Sequence, residues 1–208
     1  MAYKTEQEEF WAGEFGNNYI NRNKDQELIA SNIALFSNIF KKVNNVNSII
    51  EFGSNIGLNL RAVKNIKPYI NCSAIEINKK ATEILKETIP DTEIYNDSIL
   101  DCKINKTYDF VLIKGVLIHI NPDELETVYK KMYSSSNRYI CIVEYYNPSP
   151  VQITYRGNSD RLFKRDFAGE IMDMYNDLNL IDYGFVYHRD NNFPQDDVTW
   201  FLMEKSGR

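Results

Sequence analysis

The sequence predicts an α/β fold: a mostly parallel sheet with helices on both faces, closed by an antiparallel hairpin. Three observations predict it. Apolar strand-like runs alternate with stretches of helical periodicity through most of the chain. The run Tyr108-Asp-Phe-Val-Leu-Ile113 is almost continuously apolar, as a strand covered on both faces must be. The last two strand-like runs, 180–188 and 198–205, are joined only by residues 189–197. That link is too short for a helical crossover, so the two runs pair antiparallel.

The elements follow in order. In the first 23 residues Phe10, Trp11, Phe15 and Tyr19 alternate with Gly13, Gly16 and Asn17. Two readings fit this leader: aromatics packing on the core, or a lid that hinges at its glycines and excludes water. Residues 25–43 form an amphipathic helix, with Leu28, Ile29, Ile33, Phe36, Ile39 and Phe40 on its buried face. A strand then starts at Ser48, and Gly53 and Gly57 punctuate a turn into a helix from Ile56 to about Lys67. Residues 71–75 are the second strand, 78–88 a helix stopped by Pro90, and 92–95 a short third strand. After the strand at 108–113, Asn121-Pro-Asp-Glu124 opens a helix to about Tyr133, with a cap, a proline at the first helical position and an acid three residues on. Residues 138–144 are the fifth strand and 164–177 a helix. With the closing hairpin the sheet has seven strands.

Composition bounds the rest. With 208 residues and 43% hydrophobic content the chain buries one sizeable core, so a single domain over 1–208 is expected. Cys72, Cys102 and Cys141 fit neither a disulfide framework nor a zinc site, and with two histidines they give no metal-ligand spacing. Reduced thiols point to the cytoplasm. No apolar run reaches the roughly 20 residues of a membrane span, and no signal-peptide core opens the chain. A net charge of −5 argues against a nucleic-acid partner. A monomer and a homodimer fit the pattern equally.

The stretch Ser48-Ile-Ile-Glu-Phe-Gly-Ser-Asn-Ile-Gly57 carries the first functional signal. Its glycines let the backbone turn tightly and approach a ligand, and the amides of the next helix face that ligand. Glu76 closes the second strand, where a carboxylate accepts from both hydroxyls of a ribose. The pattern describes a cradle for a nucleoside. Asp97, after the third strand, is either a turn residue or an acceptor for an adenine amine.

The order of elements, Glu51-Phe-Gly-Ser-Asn-Ile-Gly57, Glu76, Asp97 and the terminal hairpin resemble a class I S-adenosylmethionine-dependent methyltransferase, a Rossmann-like fold. Further motifs narrow the resemblance to the pseudaminic acid biosynthesis-associated methylases: Phe10-Trp-Ala-Gly-Glu-Phe-Gly16, Tyr145-Tyr-Asn-Pro-Ser-Pro150, Tyr155-Arg-Gly157, Leu162-Phe-Lys-Arg-Asp-Phe-Ala-Gly-Glu170 and Phe193-Pro-Gln-Asp-Asp197. Asn55 departs from the general pattern, which has glycine there; Asn tolerates left-handed backbone, so the turn is expected to survive. The resemblance implies that Glu51, Gly53, Ser54, Asn55 and Gly57 wrap the methionine end of S-adenosylmethionine. Glu76 holds its ribose, Ile77 lies on the adenine, and Asp97 and Ser98 sit at the adenine edge. Lys114, Gly115 and Val116 close the pocket under the sulfonium, and Trp11, Tyr19 and Arg22 cover it, with S-adenosylhomocysteine as the product.

Methyl transfer needs alignment, exclusion of water and, for a hydroxyl or protonated amine, a base. His119, one of two histidines, is the first candidate base against the reading of a satisfied histidine in a helical turn. Tyr145, Tyr146 and Asn147 follow the fifth strand, where the acceptor is expected; packing aromatics are the competing reading. Residues 145–165 read as an acceptor-side insertion, with Tyr155, Arg156, Arg161, Lys164 and Arg165 in an acidic chain. The default for such a run is a solvated face, yet arginine forks suit a carboxylate or phosphate. Asp196 and Asp197 pair with these arginines or position the acceptor. The expected acceptor is a small anion, a nonulosonic sugar acid or its precursor, methylated at oxygen or nitrogen. An unrelated small carboxylate or amino compound, and a non-catalytic nucleoside-binding module, are the alternatives.

Overall fold

The computed structural model describes residues 3–20 and 26–207. Its nine strands are β1 (Ser48–Phe52), β2 (Asn71–Ile75), β3 (Glu93–Tyr95), β4 (Tyr108–Lys114), β5 (Ser136–Glu144), β6 (Val151–Tyr155), β7 (Asn158–Lys164), β8 (Leu178–Val186) and β9 (Val198–Lys205). Seven form one sheet in the order β3-β2-β1-β4-β5-β9-β8. The first five run parallel, and β9 is antiparallel to both its neighbours. Chain direction across the sheet reverses between β1 and β4. At such a switch point the loops leaving the strand ends diverge and a crevice opens.

Among the described residues the α-helices beside the sheet are α1 (Glu6–Ala12), α2 (Glu14–Ile20), α3 (Gln26–Phe40), α4 (Leu58–Ile66), α5 (Lys79–Thr88), α6 (Leu125–Ser135) and α7 (Phe167–Met174). Alternation along the central strands divides the core between the two faces. Ile49, Leu112 and Cys141 pack with Phe36 and Ile39 of α3, Leu60 of α4 and Leu85 of α5. Ile50, Val111 and Ile142 pack with Val128 and Met132 of α6 and Phe167 of α7.

Three elements differ from the sequence expectation. The leader is a pair of helices, α1 and α2, that meet at Gly13. Thr5 and Glu8 cap α1 reciprocally. A Cβ on Gly16 would lie 1.9 Å from the Trp11 carbonyl oxygen, so this glycine lets α2 press on α1. The helix after Asn121 begins with a 3-10 turn, Pro122–Glu124, and becomes α-helical only at Leu125. The helix expected from residue 164 begins at Phe167, because the preceding residues form β7.

The segment expected as an acceptor-side insertion contains strands β6 and β7. They form a separate hairpin turning on Arg156 (φ 51°) and Gly157 (φ 81°), between paired Tyr155 and Asn158. Two consecutive left-handed residues make the tight loop that matches strand twist. That turn is usually announced by Asn-Gly or Asp-Gly, and arginine hid it.

Candidate functional site

A cavity of about 650 Å³ opens at the carboxyl ends of β1, β2, β4 and β5. The turn after β1 builds its floor. Gly53 (φ 75°) and Asn55 (φ 48°) are both left-handed, and the amides of Gly53 and Ser54 donate to the Ile75 carbonyl at 2.8 and 3.1 Å. A Cβ on Gly53 would stand 2.6 Å from Val116 Cγ2, so the Val116 side chain of the loop after β4 packs directly on the bare backbone of the turn.

Glu76 is the hub of this half. Its carboxylate accepts from the Asn55 amide at 2.7 Å and the Asn78 amide at 2.8 Å. Burial raises its pKa, and those amide bonds oppose the rise. Each carboxylate oxygen keeps lone-pair capacity for a ligand donor. Ser54 Oγ, Asn55 Oδ1 and Asn59 Oδ1 are buried in the lining and have no hydrogen-bond partner among the described residues. Unpaired buried polar atoms are costly, and a polar ligand resolves that cost.

The leader roofs the cavity. Asn78 caps α5 by accepting from the Ala81 amide, while its Nδ2 donates to the Trp11 carbonyl at 3.2 Å and to Asn17 Oδ1 at 3.1 Å. Ser98 Oγ donates to Glu8, which fixes α1 to the loop after β3. Trp11 packs against His119 at 4.7 Å between ring centroids, and His119 against Tyr155 at 5.1 Å. His119 Nδ1 lies 2.6 Å from the Arg161 carbonyl, which can only accept, so Nδ1 carries the proton and Nε2 keeps its lone pair. Burial pushes the His119 pKa down to about 4. The ring is therefore neutral at pH 7 and a weak base.

A buried acid–base cluster underlies the centre. Lys114 ends β4, with its pKa lowered by burial and held up by the charges of Glu51, Asp196 and Glu144. Burial raises Glu51 to about 8, against the Asn59 amide donating to it at 2.6 Å. Glu144 ends β5; its Oε1 accepts from the amides of Val116 and Leu117, each at 2.8 Å, and burial raises its pKa to about 7. Its Oε2 is buried with no hydrogen-bond partner among the described residues. Among the described residues no cluster of three or more His, Cys, Asp or Glu is placed to hold a metal ion.

Solved structures sharing this architecture identify the fold. A 1,6-didemethyltoxoflavin-N1-methyltransferase from Burkholderia thailandensis, solved with 1,6-didemethyltoxoflavin and S-adenosylhomocysteine, superposes with a TM-score of 0.71 at 11% identity, over 100% of this chain and 92% of its own. A magnesium protoporphyrin IX methyltransferase from Synechocystis PCC 6803 with bound SAM gives 0.69 at 11% identity, over 99% and 100%. The plantazolicin methyltransferase in complex with SAH gives 0.66 at 14% identity, over 97% and 94%. The fold is the Rossmann-like methyltransferase fold. No protein-family model matches the sequence, and no curated protein matches it.

Within this methyltransferase fold, the residues named for the cofactor divide. Trp11, Tyr19, Gly53, Ser54, Asn55 and Glu76 line the cavity, and so do Ile77, Ser98, Lys114, Gly115 and Val116. Glu51 is buried behind Asn59 rather than in the lining. Gly57 is left-handed and serves packing, since a Cβ there would meet Leu85 Cγ at 3.0 Å. Asp97 is not in the lining, and its Oδ1 accepts from the Ser98 amide at 2.8 Å. Arg22 lies outside the described residues.

On the acceptor side His119, Tyr145, Tyr155, Arg156 and Asp196 line the cavity. The others named there do not line it themselves. Tyr146 is exposed and packs on Phe201 at 5.8 Å, and Asn147 donates to the Ser149 carbonyl at 2.5 Å. Lys164 sits 4.8 Å from the Tyr145 ring centre, Arg165 pairs with Glu170 at 2.7 Å, and Asp197 pairs with His188 at 2.8 Å. Sequence reasoning passed over Asn59, Asn78 and Glu144. The missed signal was positional: Glu144 is an acid ending a strand whose preceding five residues are all buried and apolar.

Proposed function

We propose that this chain is an S-adenosylmethionine-dependent methyltransferase that acts on a small acceptor carrying an anionic group, of the nonulosonic, pseudaminic-type sugar acid class. The observation that supports it most is the pairing of the Gly53–Asn55 turn with Glu76 in one cavity of a methyltransferase fold. The residues fit the cofactor. Glu76 offers a carboxylate to a ribose diol, while Ile77 and Ile99 give an apolar wall for a purine. Ser54 Oγ, Asn55 Oδ1 and Asn59 Oδ1 are unpaired acceptors for an ammonium or water-bridged donor. Glu144 and Asp196 in the lining put carboxyl groups beside Lys114 and suit positive charge. Bound S-adenosylmethionine supplies an activated methyl group.

The protein's own part is geometric. Gly53 and Val116 pack the turn after β1 against the loop after β4, so two walls of the cavity are held in a fixed relation around a reacting centre. Trp11, Tyr155 and the neutral His119 ring form an apolar roof that keeps water out. Arg156 contributes positive charge on the acceptor side of the lining, fitting a carboxylate or phosphate.

Incubation with labelled S-adenosylmethionine and a panel of sugar acids, amino acids and other small carboxylates tests the reading. Label on a sugar acid is the expected outcome. Label only on other compounds overturns the sugar-acid assignment, and tight cofactor binding with transfer to nothing overturns catalysis.

A further inference from the structure

Methylation at nitrogen or oxygen makes different demands on the protein, and the cavity distinguishes them. A hydroxyl has to lose a proton of very high pKa in the transition state, whereas an ammonium surrenders one of about 10 to a modest base. Two titratable side chains of the lining are candidate bases: His119, whose Nε2 carries the lone pair, and Glu144, whose buried Oε2 has no hydrogen-bond partner among the described residues. They are not equivalent. His119 is held as a neutral donor to the Arg161 carbonyl, and burial makes its imidazolium too acidic to retain a proton near neutrality. Glu144 is 2% exposed and immobilised, with one oxygen fixed by two backbone amides. Its second oxygen has no hydrogen-bond partner among the described residues. A buried carboxylate that spends one oxygen on the scaffold and leaves the other open is a placed acceptor.

We propose that the acceptor is methylated on an amine and that Glu144 is the catalytic residue that binds this amine and takes its proton through Oε2. The inference rests on the methyltransferase reading. An ammonium entering from the Tyr145 and Asp196 side meets acids, while Arg156 receives the acceptor's anionic group; the acceptor thus carries both charges. One N–H proton passes to Glu144 Oε2. The freed nitrogen lone pair forms the N–C bond to the methyl carbon as the C–S bond breaks toward sulfur, leaving S-adenosylhomocysteine. Glu144 then returns its proton to solvent. The charged and titratable groups facing Glu144 are Lys114 of β4 and Tyr129 of α6, with Tyr145 following it in the chain. Lys114 favours its ionised form, and burial, the larger effect, sets its pKa near 7. That value matches an ammonium and falls far short of a hydroxyl.

Glu144→Gln is the decisive variant, because glutamine retains a carbonyl for the Val116 and Leu117 amides and cannot accept the proton. Two readouts are combined, on matched pairs of small acids that differ only in a free or an acylated amine, such as the methyl glycosides of neuraminic and N-acetylneuraminic acid. In calorimetry with S-adenosylhomocysteine present, a free-amine member binds at least about tenfold more tightly than its acylated partner, and Glu144→Gln removes that preference. In turnover with labelled S-adenosylmethionine, label enters nitrogen, kcat/KM rises with pH through about 7, and Glu144→Gln lowers kcat by about a hundredfold or more and abolishes that limb. His119→Phe keeps the limb. Label on oxygen, on acylated members, or on no amine overturns the proposal, as does a Glu144→Gln enzyme that keeps its rate and pH profile. Failure of wild type to bind S-adenosylhomocysteine at all sinks the methyltransferase reading instead, so the two failures are distinct. Unchanged S-adenosylhomocysteine affinity and melting temperature in Glu144→Gln show that the fold is intact; their loss moves the test to Glu144→Asp, whose shortened reach must lower kcat without removing the pH limb.

Discussion

The two halves of the cavity are built on different principles. In the half formed by β1, β2 and the turn between β1 and α4, the lining is built by backbone: left-handed glycine and asparagine, amides on one carboxylate, and a bare Gly53 against the Val116 side chain. In the half formed by the β6–β7 hairpin and the β8–β9 loop, recognition is carried by long charged side chains, and most of these are taken up elsewhere. Arg165 holds Glu170, Arg161 reaches Glu6 of the leader at 3.1 Å, and Asp197 holds His188. Of the acceptor residues expected on the hairpin and this loop, Tyr155, Arg156 and Asp196 line the cavity. Backbone geometry is local and commits a site early; side-chain chemistry depends on partners far away in the chain.

The largest effect expected from this contrast comes from Gly53→Ala. The new Cβ meets Val116 Cγ2 at 2.6 Å and sits on a backbone at φ 75°, so the substitution pays in both space and conformation. S-adenosylhomocysteine affinity should fall by a hundredfold or more, and adding Val116→Ala should recover part of it by returning the space. Full recovery would show that the left-handed backbone is unimportant there, and the contrast between the halves would weaken.

A smaller and opposite effect is expected across the cavity. Arg156 occupies a left-handed position at a residue type that pays about 1–2 kcal/mol for it. Arg156→Asn should keep the turn and raise the melting temperature slightly. It should increase the acceptor's KM about tenfold and leave S-adenosylhomocysteine affinity unchanged. A change in cofactor affinity instead would join what the structure separates.

The gentlest test uses pH. Burial raises Glu51 and Glu144 to about 8 and about 7, above the unfolded carboxylate value, so their contribution to stability is present in acid and lost as pH rises through those values. His119 is lowered to about 4; its contribution is present above the unfolded value of about 6.5 and lost as pH falls toward 4. Thermal melts should therefore show Glu51→Gln gaining on wild type as the pH rises from about 5 to about 9. A constant difference across that range would mean Glu51 ionises normally.

The same contrast explains what the sequence disclosed. The turn from Ser48 to Gly57 and the acid at 76 were legible because their spacing is a property of one βαβ unit, and the seven-stranded sheet followed from alternation and a short final link. The β6–β7 hairpin was not legible, since arginine stands where its turn normally has asparagine. Nor was the fate of the basic run: Arg161 finds Glu6 at a separation of 155 residues, which no local pattern encodes. Glu144 was invisible for a related reason, as the two amides that fix it belong to the loop after β4.

Calorimetric titration of S-adenosylhomocysteine into wild type and Glu76→Ala tests the central assignment most directly. The account predicts a dissociation constant in the micromolar range for wild type and a loss of about a hundredfold, or about 2.7 kcal/mol, for the variant. Equal affinity in the two proteins, or no binding to wild type, would contradict it.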